Sequence, residues 1–132
     1  MAAHKPVHLI GIIGVRDYNG AVYENYAYIS ATLDEHVKRF ETPEGFGILT
    51  GGGRGVEVMA VRWAQERGIP CRTIPPNIAQ FGPKKAFIVR NNNIVAEAHD
   101  VAIFWDGYTD VTTESIMSAM HLSKRVVVYP LI

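Results

Sequence analysis

The segment Gly51–Gly55 (Gly-Gly-Gly-Arg-Gly) most constrains the fold of this chain, because it joins an apolar run, Phe46–Leu49, to a helical pattern over 54–67. Glycine lets the chain turn sharply and lets a ligand or another backbone approach closely. The first turn of the following helix offers unpaired N–H groups and the positive end of the helix dipole. The sequence therefore predicts a strand, glycine loop and helix that bind an anion, most often a phosphate. A tight turn without a ligand is the alternative.

The rest of the chain repeats this alternation of strand and helix. β-Branched and apolar runs predict strands at 7–14, 46–49, 69–74, 100–105 and 125–129. Apolar residues at helical spacing predict helices over 22–40, 54–67, 84–98 and after 112. This alternation indicates an α/β fold, a doubly wound parallel five-stranded sheet in one domain over 1–132.

Polar, glycine-containing loops follow the first, second and fourth predicted strands. With the sheet order 3-2-1-4-5, the carboxyl ends of these strands lie side by side at the switch point, where open α/β sheets bind ligands. We therefore expect one pocket that collects Arg16, the glycine loop and the loop 106–114. Arg16 either contacts phosphate or pairs with Asp17 at the surface.

Asn91 falls on the buried stripe of its predicted helix, four residues after Phe87. A buried amide without a partner costs about 1–3 kcal/mol, so Asn91 requires a partner from the chain or from a ligand. In the last helix Thr112 is the predicted N-cap. Ile116, Met117 and Met120 are its predicted core face.

Composition narrows the functional classes. The 13 basic and 13 acidic residues balance and form no basic block, so we do not expect nucleic acid as a partner. The single Cys71 excludes an internal disulfide and a cysteine-based zinc site, and we expect neither a metal nor a cofactor. The apolar run 7–14 is too short to cross a membrane and lacks a signal cleavage site, which predicts a cytoplasmic protein. Apolar residues on two faces of the helix over 54–67 predict a homo-oligomer.

Several motifs, taken in order, resemble the small Rossmann-like proteins of the SLOG superfamily, specifically its YspA-like branch. They are Gly14-Val15-Arg16-Asp17, Gly51-Gly52-Gly53-Arg54-Gly55-Val56-Glu57 with Trp63-Ala64, Arg90-Asn91 and Phe104-Trp105-Asp106-Gly107. The superfamily includes lysine-decarboxylase-like phosphoribohydrolases, the DNA-processing protein DprA and sensors of nucleotide-derived signals. The resemblance thus implies a nucleotide or nucleotide-like ligand.

The motifs and the expected pocket together give a set of candidate ligand-binding residues: Gly14, Arg16, Asp17, Gly51, Gly52, Gly53, Arg54, Gly55, Arg90, Asn91, Asp106, Gly107 and Thr112. Two departures from the family pattern stand out. Glu57 replaces the usual aspartate, and Val111-Thr112 replaces Gly-Thr, which adds a side chain where a phosphate would approach the backbone. The second departure weakens the expectation of hydrolysis more than that of binding.

We therefore expect a protein that binds a nucleotide or an ADP-ribose-like small molecule and senses or sequesters it. The alternative is a phosphoribohydrolase that cleaves the N-glycosidic bond of a nucleoside monophosphate, with Glu114 and Glu57 as candidate catalytic carboxylates. The loop before Glu114 is also similar to nucleoside 2-deoxyribosyltransferases, but the glycine loop and Arg90-Asn91 fit that family poorly.

Overall fold

The computed structural model describes residues 6–132. The first five residues of the predicted domain lie outside the described part. The strands are β1 (Leu9–Gly14), β2 (Asp17–Tyr18), β3 (Ala21–Val22), β4 (Gly47–Thr50), β5 (Cys71–Thr73), β6 (Asp100–Trp105) and β7 (Arg125–Pro130). The helices are α1 (Tyr26–Arg39), α2 (Val56–Glu66), α3 (Ile78–Phe81), α4 (Pro83–Glu97) and α5 (Asp110–His121).

Five strands form one parallel sheet in the order β5-β4-β1-β6-β7. The central strand β1 pairs with β4 through Ile10 and Ile48, and with β6 through Ile10 and Asp100. The order is the predicted 3-2-1-4-5 once the short strands β2 and β3 are set aside. The carboxyl ends of β4, β1 and β6 therefore lie next to one another, which confirms the predicted switch point.

The sheet is buried between two helical layers, each with its own apolar core. On one face, Ile29 and Leu33 of α1 pack with Trp63 of α2. On the other face, Ile94 of α4 packs with Ala119 of α5. Because β1 contributes alternate residues to the two cores, it is buried on both sides, as a continuous apolar strand in a doubly wound sheet must be.

The segment after β1 differs from the prediction of a loop followed by a helix from Val22. β2 and β3 form an antiparallel hairpin that turns at Asn19 and Gly20, both with positive φ. Asn-Gly is the sequence that favours such a tight turn. Helix α1 therefore begins later, at Tyr26, where the Asn25 side chain accepts a hydrogen bond from the N–H of Tyr28.

The last helix also differs from its prediction. α5 begins at Asp110 with Thr109 as N-cap, so the expectation that Thr112 caps it is wrong. Its buried residues are Thr112, Ser115 and Ala119, whereas Met117 and Met120 are 61% and 66% exposed. Small side chains let α5 lie close to its neighbours, and the large apolar residues are left facing outward. The segment between β5 and α4 contains the short helix α3.

None of the helices within residues 6–132 combines the length and the apolar character needed to cross a membrane.

Candidate functional site

A cleft of about 510 Å³ opens at the carboxyl edge of the sheet, where β1 lies between β4 and β6. Five segments supply its walls: the end of β1 with the residues after it, the glycine loop, the start of α2, the middle of α4 and the start of α5. The lining residues are Gly14, Val15, Arg16, Asp17, Gly53, Arg54, Glu57, Phe87, Arg90, Asn91, Thr109, Val111 and Thr112. Parallel α/β sheets bind ligands in this position.

A buried polar network forms the deep end of the cleft. The guanidinium of Arg90 donates to Glu57 Oε2 at 2.9 Å, and both side chains are almost fully buried. The Nε and Nη2 atoms of Arg90 also donate to Asn91 Oδ1 at 3.1 and 2.9 Å. Asn91 thus finds the specific partner that its burial requires, and that partner belongs to the chain.

Glu57 also engages the glycine loop. Its Oε1 accepts a hydrogen bond from the backbone N–H of Gly53 at 3.1 Å. A carboxylate of the protein therefore occupies a donor that the sequence assigns to a ligand phosphate. Burial is the largest influence on this carboxyl, and it raises the pKa of Glu57 against the opposing effects of Arg90 and of the N–H groups of Gly53 and Gly14.

Two glycines of the loop make this arrangement possible. A Cβ at Gly51 would lie 2.4 Å from the Cζ of Arg90, so only glycine leaves room for the guanidinium. Gly55 has a φ of +84°, and a Cβ there would lie 2.5 Å from the carbonyl oxygen of Arg16. These glycines support the walls of the cleft, and of the loop only Gly53 and Arg54 line it.

The rim of the cleft differs in character from its deep end. Arg54 is exposed, and Arg16 is exposed with its Nε 3.6 Å from Asp17 Oδ1. Phe87 is half-buried on the α4 wall, and the Cζ of Arg90 lies 5.1 Å from the centre of its ring. The cleft therefore combines accessible cations, a partly exposed aromatic ring and a charge-balanced interior.

The structure does not bring all the predicted site residues to this cleft. Asp106 and Gly107 line a separate hollow of about 360 Å³, together with Tyr18 and Trp105. Asp106 is a local cap, because its carboxylate accepts hydrogen bonds from the N–H groups of Tyr108 and Thr109. Partial burial acts to raise the pKa of Asp106. The hydrogen bonds from the Thr109 hydroxyl and from these two N–H groups outweigh it and hold the pKa below its usual value.

The remaining predicted residues also lie away from the cleft lining. Glu114 is exposed on α5 and is not part of the walls. Gly51, Gly52 and Gly55 do not line the cleft. The residues that meet at the cleft as predicted are Gly14, Arg16, Asp17, Gly53, Arg54, Glu57, Arg90, Asn91 and Thr112.

Four cleft-lining residues are absent from the sequence-based set: Val15, Phe87, Thr109 and Val111. The sequence could have indicated Phe87, because it lies four residues before Asn91 and therefore on the same face of the helix. Thr109 and Val111 belong to the loop 106–114, which the sequence predicts at the pocket, although neither is among the candidate ligand-binding residues.

A doubly wound parallel sheet with a polar cleft at its switch point defines a Rossmann-like α/β protein. More particularly, residues 19–81 match the family described as YAcAr: YspA, cpYpsA-related SLOG family. The match confirms the resemblance to the SLOG superfamily that the motifs indicated. No match is found among the curated proteins.

Solved structures agree on the fold. The X-ray structure of TM1055, a structural genomics target, aligns with a TM-score of 0.67 at 18% identity over 91% of this chain and 72% of that one. DNA processing protein A from Helicobacter pylori, solved to explain its single-stranded DNA binding mode, aligns with a TM-score of 0.67. Its identity is 21%, over 96% of this chain and 67% of that one. At these identities the likeness shows the fold alone.

Proposed function

We propose that this protein binds a nucleotide or a nucleotide-derived, ADP-ribose-like small molecule in the cleft, as a sensor or a sequestering protein. The observation that carries the proposal is the pairing of an accessible cationic rim with a buried, charge-balanced interior. Arg54 is exposed, and Arg16 is exposed with the Asp17 carboxylate 3.6 Å from its Nε, whereas Arg90 is already neutralised by Glu57 at 2.9 Å. Such a cleft suits a ligand with an anionic end and an uncharged, hydroxyl-bearing end.

Each part of a nucleotide has a chemically matched group in the cleft. Guanidinium groups bind phosphate through paired hydrogen bonds, which fits Arg54 and Arg16 at the rim. Each Glu57 oxygen keeps a lone pair that can accept a hydrogen bond from a ribose hydroxyl, and the Asn91 side-chain N–H can donate one, because Asn91 Oδ1 already accepts two from Arg90. The ring of Phe87 offers a surface on which a base can stack. A nucleotide would therefore be held by its phosphate at the rim and by its sugar in the interior.

Hydrolysis of an N-glycosidic bond is the second candidate, and Glu57 is the observation in its favour. A buried carboxyl with a raised pKa inside a cleft is a typical general acid. However, its two oxygens already accept hydrogen bonds from Gly53 and Arg90. Val111 lines the cleft, and Glu114 is exposed away from the lining. We therefore propose binding without efficient turnover.

Single-stranded DNA is another candidate ligand for the cleft. The family match and the likeness to a DNA-processing protein fit a nucleotide-related or DNA-processing role. The balanced charge of this chain argues against a long nucleic-acid footprint, since such binding depends on many phosphate contacts by lysine and arginine. We keep the small molecule as the proposed ligand.

Calorimetry with AMP and ADP-ribose tests this proposal, using wild type, Arg54→Ala and Arg72→Ala. Arg72 is a matched control, because it is an exposed arginine that pairs with Glu97 and lines neither the cleft nor its rim. We expect Arg54→Ala to weaken nucleotide binding by about tenfold, the equivalent of 1.4 kcal/mol for one lost charge-assisted contact. Arg72→Ala should bind like wild type. Equal affinities of wild type and Arg54→Ala would contradict the proposal.

Turnover is measured on the same samples by following the release of free base from AMP with chromatography. We expect no multiple-turnover release. Sustained release that disappears in Glu57→Gln would make the hydrolase the correct function.

A further inference from the structure

A second groove of about 280 Å³ lies beside the cleft and shares Arg54 with it. The groove runs between β3, the start of α1 and the outer side of α2. Its lining residues are Val22, Tyr23, Glu24, Tyr26, Arg54, Gly55, Val58, Met59 and Arg62. Because the exposed Arg54 lines both spaces, an anion bound to its guanidinium would stand at their junction.

A second arginine in this groove, Arg62, has two partners within the chain. The Cζ of Arg62 lies 3.8 Å from the centre of the Tyr26 ring, and its Nε donates to Glu66 Oε2 at 3.2 Å. The Tyr26 hydroxyl is also hydrogen-bonded to Glu66. These contacts reduce the entropy that the long side chain would lose on binding a ligand, which favours recognition.

The rest of the groove suits an uncharged group. The Val58 side chain is 48% exposed, and Met59 forms part of the floor. A planar guanidinium stacks on flat ring systems and also donates hydrogen bonds. The groove places Arg62 and the exposed Glu24 carboxylate beside the apolar Val58 and Met59, a set that matches a hydroxyl-bearing sugar or nucleoside better than a second phosphate.

We propose that this groove is a second subsite, and that the ligand is a nucleotide whose phosphate carries a second sugar or nucleoside. This inference rests on the proposed function. The phosphate contacts Arg54, and the first nucleoside lies in the cleft on the Phe87 side. The second arm lies beside Arg62 and Met59 in the groove. A mononucleotide would fill only the cleft.

Calorimetry with AMP and ADP-ribose on Arg62 variants tests the second subsite. We expect wild type to bind ADP-ribose about tenfold more tightly than AMP, because the second arm adds contacts in the groove. Arg62→Ala should abolish this preference while its AMP affinity stays within about twofold of wild type. Arg62→Lys keeps the charge without the planar fork and should lose most of the preference. Arg72→Ala should keep the full preference for ADP-ribose over AMP.

These measurements distinguish a failure of the second subsite from a failure of the proposed function on which it rests. If AMP binds and ADP-ribose binds no more tightly, the second subsite is wrong and the nucleotide site stands. Equal weakening of both ligands by Arg62→Ala would also overturn it. A short single-stranded oligothymidylate that binds more tightly than ADP-ribose, and loses affinity in Arg62→Ala, would assign the groove to nucleic acid instead. If wild type binds none of these ligands, both the inference and the proposed function fail.

Discussion

At the scale of single residues, the buried pair of Glu57 and Arg90 determines the character of the cleft. Burying two charges is costly, and the cost is offset only when their geometry and remaining hydrogen bonds are good. Here the carboxylate also accepts from Gly53, and the guanidinium also donates to Asn91. The pair therefore fixes the α4 wall to the glycine loop and holds Arg90 in the cleft.

Gly51→Ala tests this arrangement directly. The added Cβ would meet the Arg90 guanidinium at 2.4 Å, so the side chain must move away from Glu57. We expect the free energy of unfolding to fall by about 1–3 kcal/mol, as for other overpacked sites. Urea denaturation measures this change. Gly53→Ala is the control for stability, because its Cβ would meet only Glu57 Oε1, at 3.0 Å. A Gly51→Ala protein as stable as wild type would contradict the proposed role of this glycine.

At the scale of elements, the strands were predictable and the ends of the helices were less so. Buried parallel strands are continuous β-branched runs, and the segment from Asp100 to Trp105 has the predicted bounds. The start of α5 depends on the Asp106 carboxylate, which accepts hydrogen bonds from the following loop. The buried face of α5 consists of small residues. The prediction that placed the larger Met117 and Met120 in the core therefore chose the wrong face of this helix.

In the candidate site too, features that depend on the local sequence were predictable, whereas features that depend on contacts between distant residues were not. Arg16, Arg54 and Arg90 were predicted, because cations after strands and on a polar helix face are visible in the sequence. The hydrogen bond from Gly53 to Glu57 was not predicted. It depends on Arg90, which lies 33 residues from Glu57 and orients the carboxylate. A motif indicates which groups are available, but not which of them already have partners within the chain.

The exposed methionines of α5 bear on the predicted homo-oligomer. That prediction came from a second apolar face on α2, where Val58 is 48% exposed. Met117 and Met120, one helical turn apart on α5, now form a second and larger candidate. We expect light scattering to give a mass above 14.6 kDa, and the double variant Met117→Glu/Met120→Glu to reduce it to that of one chain.

Val58→Glu is the comparison for this experiment, and it should leave the mass unchanged if α5 forms the contact. Loss of assembly in Val58→Glu alone would return the interface to α2. A wild-type mass of 14.6 kDa at micromolar concentration would contradict the oligomer itself.

At the scale of the whole molecule, a polar network closes the end of the sheet opposite the cleft. Asp100, at the start of β6, is fully buried and accepts hydrogen bonds from His8 Nε2 at 2.6 Å and His36 Nε2 at 2.8 Å. The Nδ1 of His36 is hydrogen-bonded to the Tyr129 hydroxyl, and burial raises the pKa of Tyr129 to about 12. Arg125 Nη2 lies 4.0 Å from the same carboxylate. The network thus joins the segment before β1 to α1, β6 and β7.

This network predicts how stability changes in acid. Burial acts to raise the pKa of Asp100, but the hydrogen bonds from His36 and His8 outweigh it and hold the pKa below its usual value. A lowered pKa gives stability that is present above the unfolded-state value and is lost as the pH falls through the folded one. We expect the free energy of unfolding to fall between about pH 5 and pH 2, with a shallower fall in Asp100→Asn.

Asp100→Asn should also cost about 2–3 kcal/mol at neutral pH, because charge-assisted hydrogen bonds to both histidines are weakened. Denaturation of both proteins across this pH range provides the measurement. Parallel pH profiles would contradict the role given to Asp100.

Whether the cleft at the switch point holds a nucleotide is tested by amide NMR spectra recorded while AMP is added. We predict shifts in the N–H resonances of Gly53, Arg54 and Asn91, which lie around the cleft. The resonances of Gly45 and His99 should stay in place, because those residues do not line the cleft. Unchanged spectra with both AMP and ADP-ribose, or shifts that omit the cleft residues, would contradict nucleotide binding in the cleft.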